Sequence, residues 1–215
     1  MNKAFFLLLF FSFQILRPTT AQEADWEFKR QVNDILVYTK DIPNSNIKSL
    51  KIIMEADVPI NSVIQLLLDI SAYRKWVYKC SHSEHIKEEN SLSTYDYYQI
   101  DFPWPFSDRD MYVHSVTSKD PDTGVIIAES KGVPNYGPQR DGFIRILEHH
   151  NRWIITPVTP NKTHLVYTLA ADPAGAIPDW LINLAADQGP IKSMKSFLKL
   201  VKTLPYQSGN PIGGL

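Results

Sequence analysis

The sequence predicts an α+β domain in which a curved antiparallel sheet wraps around a long C-terminal helix and leaves an enclosed space. Segments rich in β-branched and aromatic residues, bounded by turn residues, recur from residue 35 to residue 170. From Ile177 to Val201, apolar residues recur at three- and four-residue steps, which indicates one amphipathic helix of about 25 residues. Aromatic residues make up 12% of the chain and supply material for an apolar wall with polar tips.

The first 21 residues are predicted to be a secretory signal peptide. Lys3 precedes an unbroken apolar run at 4–11, and the small residues at 19–21 resemble a cleavage site. A membrane anchor is the alternative, but the apolar stretch is well short of the roughly 20 residues that a spanning helix needs. We therefore expect an exported protein, periplasmic if the host is a Gram-negative bacterium and secreted otherwise.

The remainder is expected to form one domain at 22–206, followed by a flexible tail at 207–215, and to be a monomer. The net charge is -1 and the isoelectric point is about 6.6, which favours neither a nucleic acid nor an anionic membrane surface as a partner. Cys80 is the only cysteine, so no intramolecular disulfide can form. A buried, inert thiol is the expected role of Cys80, and a reactive nucleophile is the alternative.

The secondary structure is expected to begin with a short helix at 24–32, strands at 35–40 and 47–56, and a helix that follows Pro59 and continues to Trp76. The meander that follows consists of strands at 85–89, 93–102, 109–118, 125–130, 143–156 with a bend near His150, and 164–170. Pro178 then lies in the first turn of the long helix. Gly189-Pro190 lies in its middle, where proline removes one backbone hydrogen bond and predicts a bend.

No catalytic, metal-binding or cofactor-binding motif is found. His149 and His150 are adjacent, so in a strand they face opposite sides and cannot chelate one metal ion together. His82 and His85 are spaced as a pair, but without an HExxH or CxxC motif we expect these four histidines to be solvated. The sequence also lacks a G-x-S-x-G motif and a glycine-rich phosphate loop.

The stretch Asp101–Asp110 (DFPWPFSDRD) places three acids around one base, which would suit a catalytic site. Pro103 and Pro105 instead favour a stiff turn between two strands, since proline fixes φ and donates no hydrogen bond to a sheet. The aromatic residues of this turn are expected to pack around the corner or to line the rim of a cavity. Arg109 is expected to pair with a carboxylate, from an adjacent aspartate or from an acid elsewhere in the sheet.

Taken in order, these segments resemble the START (steroidogenic acute regulatory protein-related lipid transfer) domain. Four stretches at 24–204 carry the likeness: DISAYRKW at 69–76, Pro103-x-Pro105 leading to Arg109-Asp110, WIITP at 153–157, and DPAGAIPDWLIN at 172–183. The resemblance assigns structural roles to the two prolines, to the Arg-Asp pair, and to four residues of the last stretch: Asp172, Pro173, Gly175 and Pro178.

This resemblance implies a helix-grip fold that encloses a hydrophobic tunnel for one lipid, with the final helix acting as a lid. It also implies a lipid or sterol-like apolar ligand, transient membrane contact, no cofactor and no enzymatic activity. Several sterol-binding relatives carry a cavity arginine at the position of Ser115, so the family's polar anchor for sterols is replaced here.

If position 115 faces the cavity, the period of two in a strand points residues 111 and 113 inward and residues 110, 112 and 114 outward. The predicted ligand-binding residues are Tyr95, Tyr97, Met111, Val113, Ser115, Trp180, Leu184 and Ile191.

The leading functional hypothesis is non-enzymatic binding and transfer of a lipid. Burial of apolar surface yields about 25 cal/mol per Å2, so a lipid needs few polar contacts. A cavity enzyme of the cyclase or hydrolase kind is the second hypothesis, and an interaction module with a filled interior is the third. The enzyme would need an acid/base pair inside the cavity, such as Asp96 or Glu148 with His114 or His150.

Overall fold

The computed structural model describes residues 25–43, 45, 47–208, 213 and 215, except for the side chains of 179, 180, 182–187 and 208. The predicted signal peptide at 1–21 lies outside these residues, as does most of the predicted tail beyond 208. Within the part of the chain that is described, no helix combines the length and the apolar character needed to cross a membrane.

The described residues form one sheet of ten strands. The strands are β1 Glu27–Val32, β2 Ile35–Asp41, β3 Lys48–Ala56, β4 Cys80–Asn90, β5 Ser93–Ile100, β6 Asp108–Lys119, β7 Ile126–Gly132, β8 Phe143–Arg145, β9 Glu148–Thr159 and β10 Lys162–Asp172. The order across the sheet is β1-β2-β3-β10-β9-β7-β6-β5-β4, and each neighbouring pair is antiparallel. Strand β8 lies off this path and pairs in parallel with β6.

The helices described are α1 Ile60–Leu68, α2 Tyr73–Trp76 and α3 Asp179–Leu200. Pro59 and Pro178 directly precede α1 and α3, at a position where the missing N–H leaves no helical bond unmade. The helix expected from Pro59 to Trp76 is interrupted at Asp69, whose carboxylate accepts a hydrogen bond from the Ala72 N–H at 3.2 Å. The α+β architecture, with a large antiparallel sheet and a C-terminal helix, is confirmed.

Two further expectations about secondary structure were wrong. Residues 27–32 form a strand rather than a helix, because they pair with β2 across a turn at which Asn33 adopts a φ of 54°. This pairing overrides the weak helical spacing of the apolar residues. The predicted strand at 143–156 is not bent near His150 but divided at 146–147 into β8, which pairs with β6, and β9, which pairs with β7 and β10; the Ile146 N–H still donates to the Asp110 carbonyl of β6 at 2.9 Å.

An aromatic core joins α3 to the sheet. The Phe197 ring lies 5.2 Å from the Trp76 ring of α2 and 5.3 Å from the Trp153 ring of β9, measured between centroids. Met194 and Val201 belong to the same buried cluster. The C-terminal half of α3 therefore closes the core, and the residues around Gly189-Pro190 lie where the packing opens into a cavity. The bend expected at Pro190 stays a prediction.

Candidate functional site

A cavity of about 370 Å3, the main cavity, lies between the inner face of the sheet and helices α2 and α3. Its volume falls within the range of roughly 300–1,000 Å3 that is common for small-molecule sites. Large aromatic and aliphatic side chains from six elements dominate its wall, among them Trp76, Tyr98, Met111, Val113, Trp153, Tyr167, Leu169 and Met194. The cavity can therefore enclose an apolar ligand of considerable size.

The side chains of strand β6 face the sides of the sheet that were expected from the position of Ser115. Met111 and Val113 line the main cavity, and Ser115 lines a second cavity that adjoins it. Because successive side chains of a strand alternate, Asp110 and Tyr112 lie on the opposite face. The structure thus brings three of the predicted ligand-binding residues to the interior.

Tyr95 and Tyr97 were assigned to the wrong face of the sheet. In the register of β5 against β6, Tyr95 lies opposite His114 and Tyr97 opposite Tyr112, so both tyrosines share the outer face. The Tyr95 ring stacks on the His114 ring at 4.4 Å, away from the cavity. Tyr98, which was not predicted, lines the cavity instead, and only the register between the two strands reveals this.

Helix α3 contributes fewer of the predicted contacts. Ile191 is buried in the core cluster and lines neither the main cavity nor the second cavity, whereas Pro190 and Met194 line the main cavity. The side chains of Trp180 and Leu184 lie outside the described residues. The exact facing of a helix against a curved sheet depends on its rotation about its own axis, which periodicity alone leaves open.

His149 is a polar group in the wall of the main cavity. Burial, and to a smaller extent the neighbouring charge of His150, lower the pKa of its imidazole to about 4, so the ring is neutral at pH 7. The Asn151 amide nitrogen lies 3.0 Å from its Nε2 atom. The expectation that His149 is solvated was wrong. The expectation that His149 and His150 face opposite sides of the strand is confirmed, because His150 is exposed and its Nε2 atom lies 2.5 Å from the Glu129 carboxylate.

Cys80 also lines the main cavity. Burial raises the pKa of its thiol to about 12, so the thiol stays protonated and is a poor nucleophile at neutral pH. Its sulfur donates to the His82 carbonyl at 3.3 Å. A buried, unreactive cysteine was expected here, and its burial is confirmed.

The turn after β5 forms part of the rim of the main cavity. Phe102 and Pro103 line the cavity, and the Phe102 N–H donates to the Asp108 carboxylate at 2.8 Å. Pro105 follows Trp104 through a cis peptide bond. Trp104 itself is 92% exposed and makes this turn end in an apolar tip.

Arg109 binds backbone carbonyls, so the expectation of a carboxylate partner was wrong. The residue is only 1% exposed, and its guanidinium donates to the carbonyls of Pro173 at 2.6 Å, Ala174 at 2.9 Å and Ser107. The connection from β10 to α3 passes over this side chain. Gly175 adopts a φ of 75°, which favours glycine, and helps to turn the carbonyls towards the arginine.

The Asp172 side chain holds the start of the same connection. Its carboxylate accepts a hydrogen bond from the Ala174 N–H at 2.8 Å. Pro178 ends the connection directly before α3. The conspicuous sequence from 172 to 178 therefore shapes a bend that places α3 over the cavity and presents two carbonyls to Arg109.

Asp110 forms a buried ion pair with Arg145, whereas the ion pair had been expected of Arg109. Its carboxylate receives two hydrogen bonds from Arg145, from Nε at 2.7 Å and from a terminal nitrogen at 2.8 Å. The two side chains are 0% and 7% exposed. The Tyr97 hydroxyl donates to the same carboxylate at 3.1 Å, and Arg145 also donates to the carbonyls of Pro134 and Pro138.

The second cavity, here called the side cavity, has a volume of about 270 Å3. It adjoins the main cavity, because Tyr73, Ser130, Asn151 and Trp153 line both. Most of its other lining residues carry hydroxyl or carboxylate groups. In the described part of the chain, no group of three or more His, Cys, Asp or Glu side chains could hold a metal ion.

Comparison of sequences relates the chain to proteins from bacteria and mammals. A family model described as START domain matches residues 14–206. The chain is 28% identical over 171 residues to an uncharacterized protein of Pseudomonas aeruginosa, and the alignment covers 80% of this chain and 84% of that protein. It is also 28% identical over 196 residues to the phosphatidylcholine transfer protein of Bos taurus, with 86% of this chain and 88% of that protein covered.

Solved structures share the fold. The STAR-related lipid transfer protein from Xanthomonas axonopodis matches with a TM-score of 0.76 and 26% identity, covering 83% of this chain and 99% of that one. Human STARD10 matches with a TM-score of 0.74 and 21% identity, covering 84% of this chain and 74% of that one. The curved sheet and its C-terminal helix therefore recur in both.

Proposed function

The chain belongs to the START domain family, and on this premise we propose that it binds one lipid molecule in the main cavity and carries it between membranes. The observation that carries the proposal is the interior space of about 370 Å3 with aromatic and aliphatic walls. Transfer of apolar surface from water into such a space is favourable by about 25 cal/mol per Å2. Relatives named as lipid transfer proteins support the same function.

The proposed function includes no chemical step. Asp96 faces inward on β5, whereas His114 lies on the outer face of β6, so the sheet separates this candidate acid/base pair. Glu148 and His150 are both exposed on the surface. Asp96 pairs instead with His85, at 2.9 Å between carboxylate and Nδ1. None of the four acid/base pairs considered from the sequence is gathered in the main cavity.

Transient contact with a membrane is part of the proposal, because a carrier must take its lipid from a bilayer. Trp104 supports this contact: it is 92% exposed, and the preceding Phe102 and Pro103 line the main cavity. Tryptophan favours the membrane interface, where its ring is partly buried and its N–H stays hydrated. We also propose that residues 1–21 direct export, so that the carrier works outside the cytoplasm.

Protein purified from its own host is expected to carry lipid, and Val113→Trp is expected to reduce this occupancy severalfold. Val113 lines the main cavity and is 1% exposed, so an indole at this position fills the space that a ligand needs. Native mass spectrometry measures the bound lipid, and urea denaturation checks that the variant is folded. Val116→Trp on the same strand is the matched control, since Val116 is 43% exposed. Empty protein without saturable binding of any lipid would refute the proposal.

Replacing Trp104 with alanine is expected to slow transfer between vesicles severalfold and to leave equilibrium lipid binding unchanged. The side chain is exposed in the free protein, so its loss changes the free energy of unfolding by less than about 0.5 kcal/mol. Transfer of a fluorescent lipid between donor and acceptor vesicles measures the rate. Phe28→Ala is the control, because Phe28 is 59% exposed but lies on the edge strand β1. Equal rates for both variants would remove Trp104 from the membrane contact.

A further inference from the structure

The side cavity differs in chemistry from the main cavity that it adjoins. Hydroxyl groups from five elements or loops reach its wall, from Ser71, Ser91, Thr94, Ser115, Thr117 and Ser130. Four residues line both spaces, so the cavities share a boundary across which one amphipathic molecule would place its apolar part in one and its polar part in the other. A ligand in this position would leave its polar end among groups able to form hydrogen bonds.

Thr117 shows that the wall of the side cavity has unused hydrogen-bonding capacity. The residue is 8% exposed and lines the side cavity, and its hydroxyl has no hydrogen-bond partner among the described residues. Ser115 and Ser130, in contrast, bond to each other at 2.8 Å, and Thr94 donates to Asp96 at 2.8 Å. A hydroxyl that opens onto a cavity and has no partner in the described protein can both donate and accept a hydrogen bond to a ligand group.

The charges around the side cavity select against an anion. Asp69 and Glu88 contribute carboxylates to its lining, and its described lining includes neither lysine nor arginine. Burial opposes ionisation of Asp69, but hydrogen bonds from Ser71, Tyr206 and Ala72 lower its pKa overall. The Asp69 carboxylate is therefore ionised at neutral pH. Glu129 also belongs to the lining, but it alternates with Ala128 and Ser130 along β7, and its carboxylate binds His150 on the outer face.

His85 is the one histidine in the described lining of this space. Its Nδ1 atom lies 2.9 Å from the Asp96 carboxylate, which is fully buried, and its Nε2 atom lies 4.0 Å from Glu88. Any positive charge on this imidazole is therefore already matched by acids of the protein. Burying an anionic ligand group without a counter-charge would cost several kcal/mol, whereas carboxylates readily accept hydrogen bonds from hydroxyl and ammonium groups.

We propose that the side cavity receives the polar end of the bound lipid, and that this end donates hydrogen bonds and carries no net negative charge. A free hydroxyl group or an amine has this chemistry, and a phosphate monoester does not. The inference rests on the proposed lipid-binding function and adds the orientation and the class of the ligand. The apolar chains occupy the main cavity, and the polar end lies beside Thr117.

Binding of dioleoylglycerol, dioleoylphosphatidylethanolamine, dioleoylphosphatidylcholine and dioleoylphosphatidic acid tests the class of the polar end, because all four carry the same chains. Dioleoylglycerol, with its free hydroxyl, is expected to bind at least tenfold more tightly than dioleoylphosphatidic acid. Comparison of dioleoylphosphatidylethanolamine with dioleoylphosphatidylcholine distinguishes a primary ammonium, which donates hydrogen bonds, from a quaternary ammonium, which does not. Equal or tighter binding of dioleoylphosphatidic acid would overturn the inference. Failure of every lipid to bind, including methyl oleate, would instead refute the proposed function itself.

Thr117→Val tests the position of the polar end, because it replaces the hydroxyl with a methyl group of similar size. Binding of dioleoylglycerol is expected to weaken about three- to tenfold, which is the effect of one lost hydrogen bond. Binding of methyl oleate, which has no donor, is expected to stay unchanged. Thr156→Val is the matched control, since Thr156 lines neither cavity. If both valine variants bind dioleoylglycerol like the native protein, the polar end lies elsewhere.

A second variant leaves all hydroxyl groups in place. Ala128 lines the side cavity only, so Ala128→Leu reduces that space without entering the main cavity. Dioleoylglycerol binding is expected to weaken at least fivefold, and methyl oleate binding to persist. Urea denaturation of both variants identifies any effect of folding. Unchanged dioleoylglycerol binding by a folded Ala128→Leu protein would contradict the proposed orientation.

Discussion

Replacing Asp110 with alanine is expected to lower the free energy of unfolding by about 3–5 kcal/mol, because the Arg145 guanidinium would stay buried without its counter-charge. Asp110 is 0% exposed and accepts two hydrogen bonds from Arg145 and one from Tyr97. Urea denaturation measures the change, and the melting temperature should fall by roughly 10 °C. The two carbonyls that Arg145 also contacts cannot neutralise its charge.

Two control variants distinguish the effect of this buried ion pair from the effect of removing any ion pair. Glu129→Gln removes a partly exposed pair with His150 and is expected to change the free energy of unfolding by no more than about 1 kcal/mol. The double variant Asp110→Leu, Arg145→Met removes both charges and is expected to be more stable than Asp110→Ala alone. An Asp110→Ala protein as stable as Glu129→Gln would show that the buried pair contributes little.

Replacing Arg109 with alanine is expected to lower the free energy of unfolding by about 2–4 kcal/mol and, with it, lipid occupancy. The change leaves the carbonyls of Ser107, Pro173 and Ala174 without their donor in a buried setting. Since two of these carbonyls lie in the connection that leads into α3, the variant should fix the position of α3 over the main cavity less firmly. Urea denaturation and native mass spectrometry measure the two effects.

Arg109→Lys is the control for charge at this position. Lysine keeps the positive charge, but its single ammonium cannot reproduce a planar fork that reaches three carbonyls, so we expect a loss between those of the native protein and Arg109→Ala. An Arg109→Ala protein with native stability but without bound lipid would show that Arg109 acts in ligand binding rather than in holding the fold. Native stability together with native occupancy would show that the carbonyl contacts are dispensable.

The two predictions concern neighbouring residues that act on opposite sides of one strand. Because side chains alternate along β6, Arg109 reaches the connection that leads into α3, while Asp110 reaches Arg145 of β8 across the other face. Strand β6 also supplies Met111 and Val113 to the main cavity. The Arg-Asp pair therefore anchors the strand that forms the middle of the cavity wall, and this explains why a cluster of charges is structural here.

The turn at 101–108 shows how far local sequence can be interpreted. Its prolines predict a stiff corner, and the structure has a turn there, with Phe102 and Pro103 at the cavity rim. The same stretch contains one carbonyl partner of Arg109, that of Ser107, but does not reveal the other two, because Pro173 and Ala174 lie 64 and 65 residues further along the chain. Hydrogen bonds to backbone carbonyls have no side-chain signature that could be found in a sequence.

The sequence by itself determined the α+β architecture, the long final helix, the alternation along β6 and the opposite facing of His149 and His150, since periodicity and turn residues are local properties. Only the tertiary structure decided which face of β5 looks inward, and so replaced Tyr95 and Tyr97 by Tyr98 in the cavity wall. It also decided that Arg109 binds carbonyls and that a polar side cavity adjoins the apolar one. These features depend on strand register and on contacts between distant segments, and a slip of one residue in register reverses every side chain of a strand.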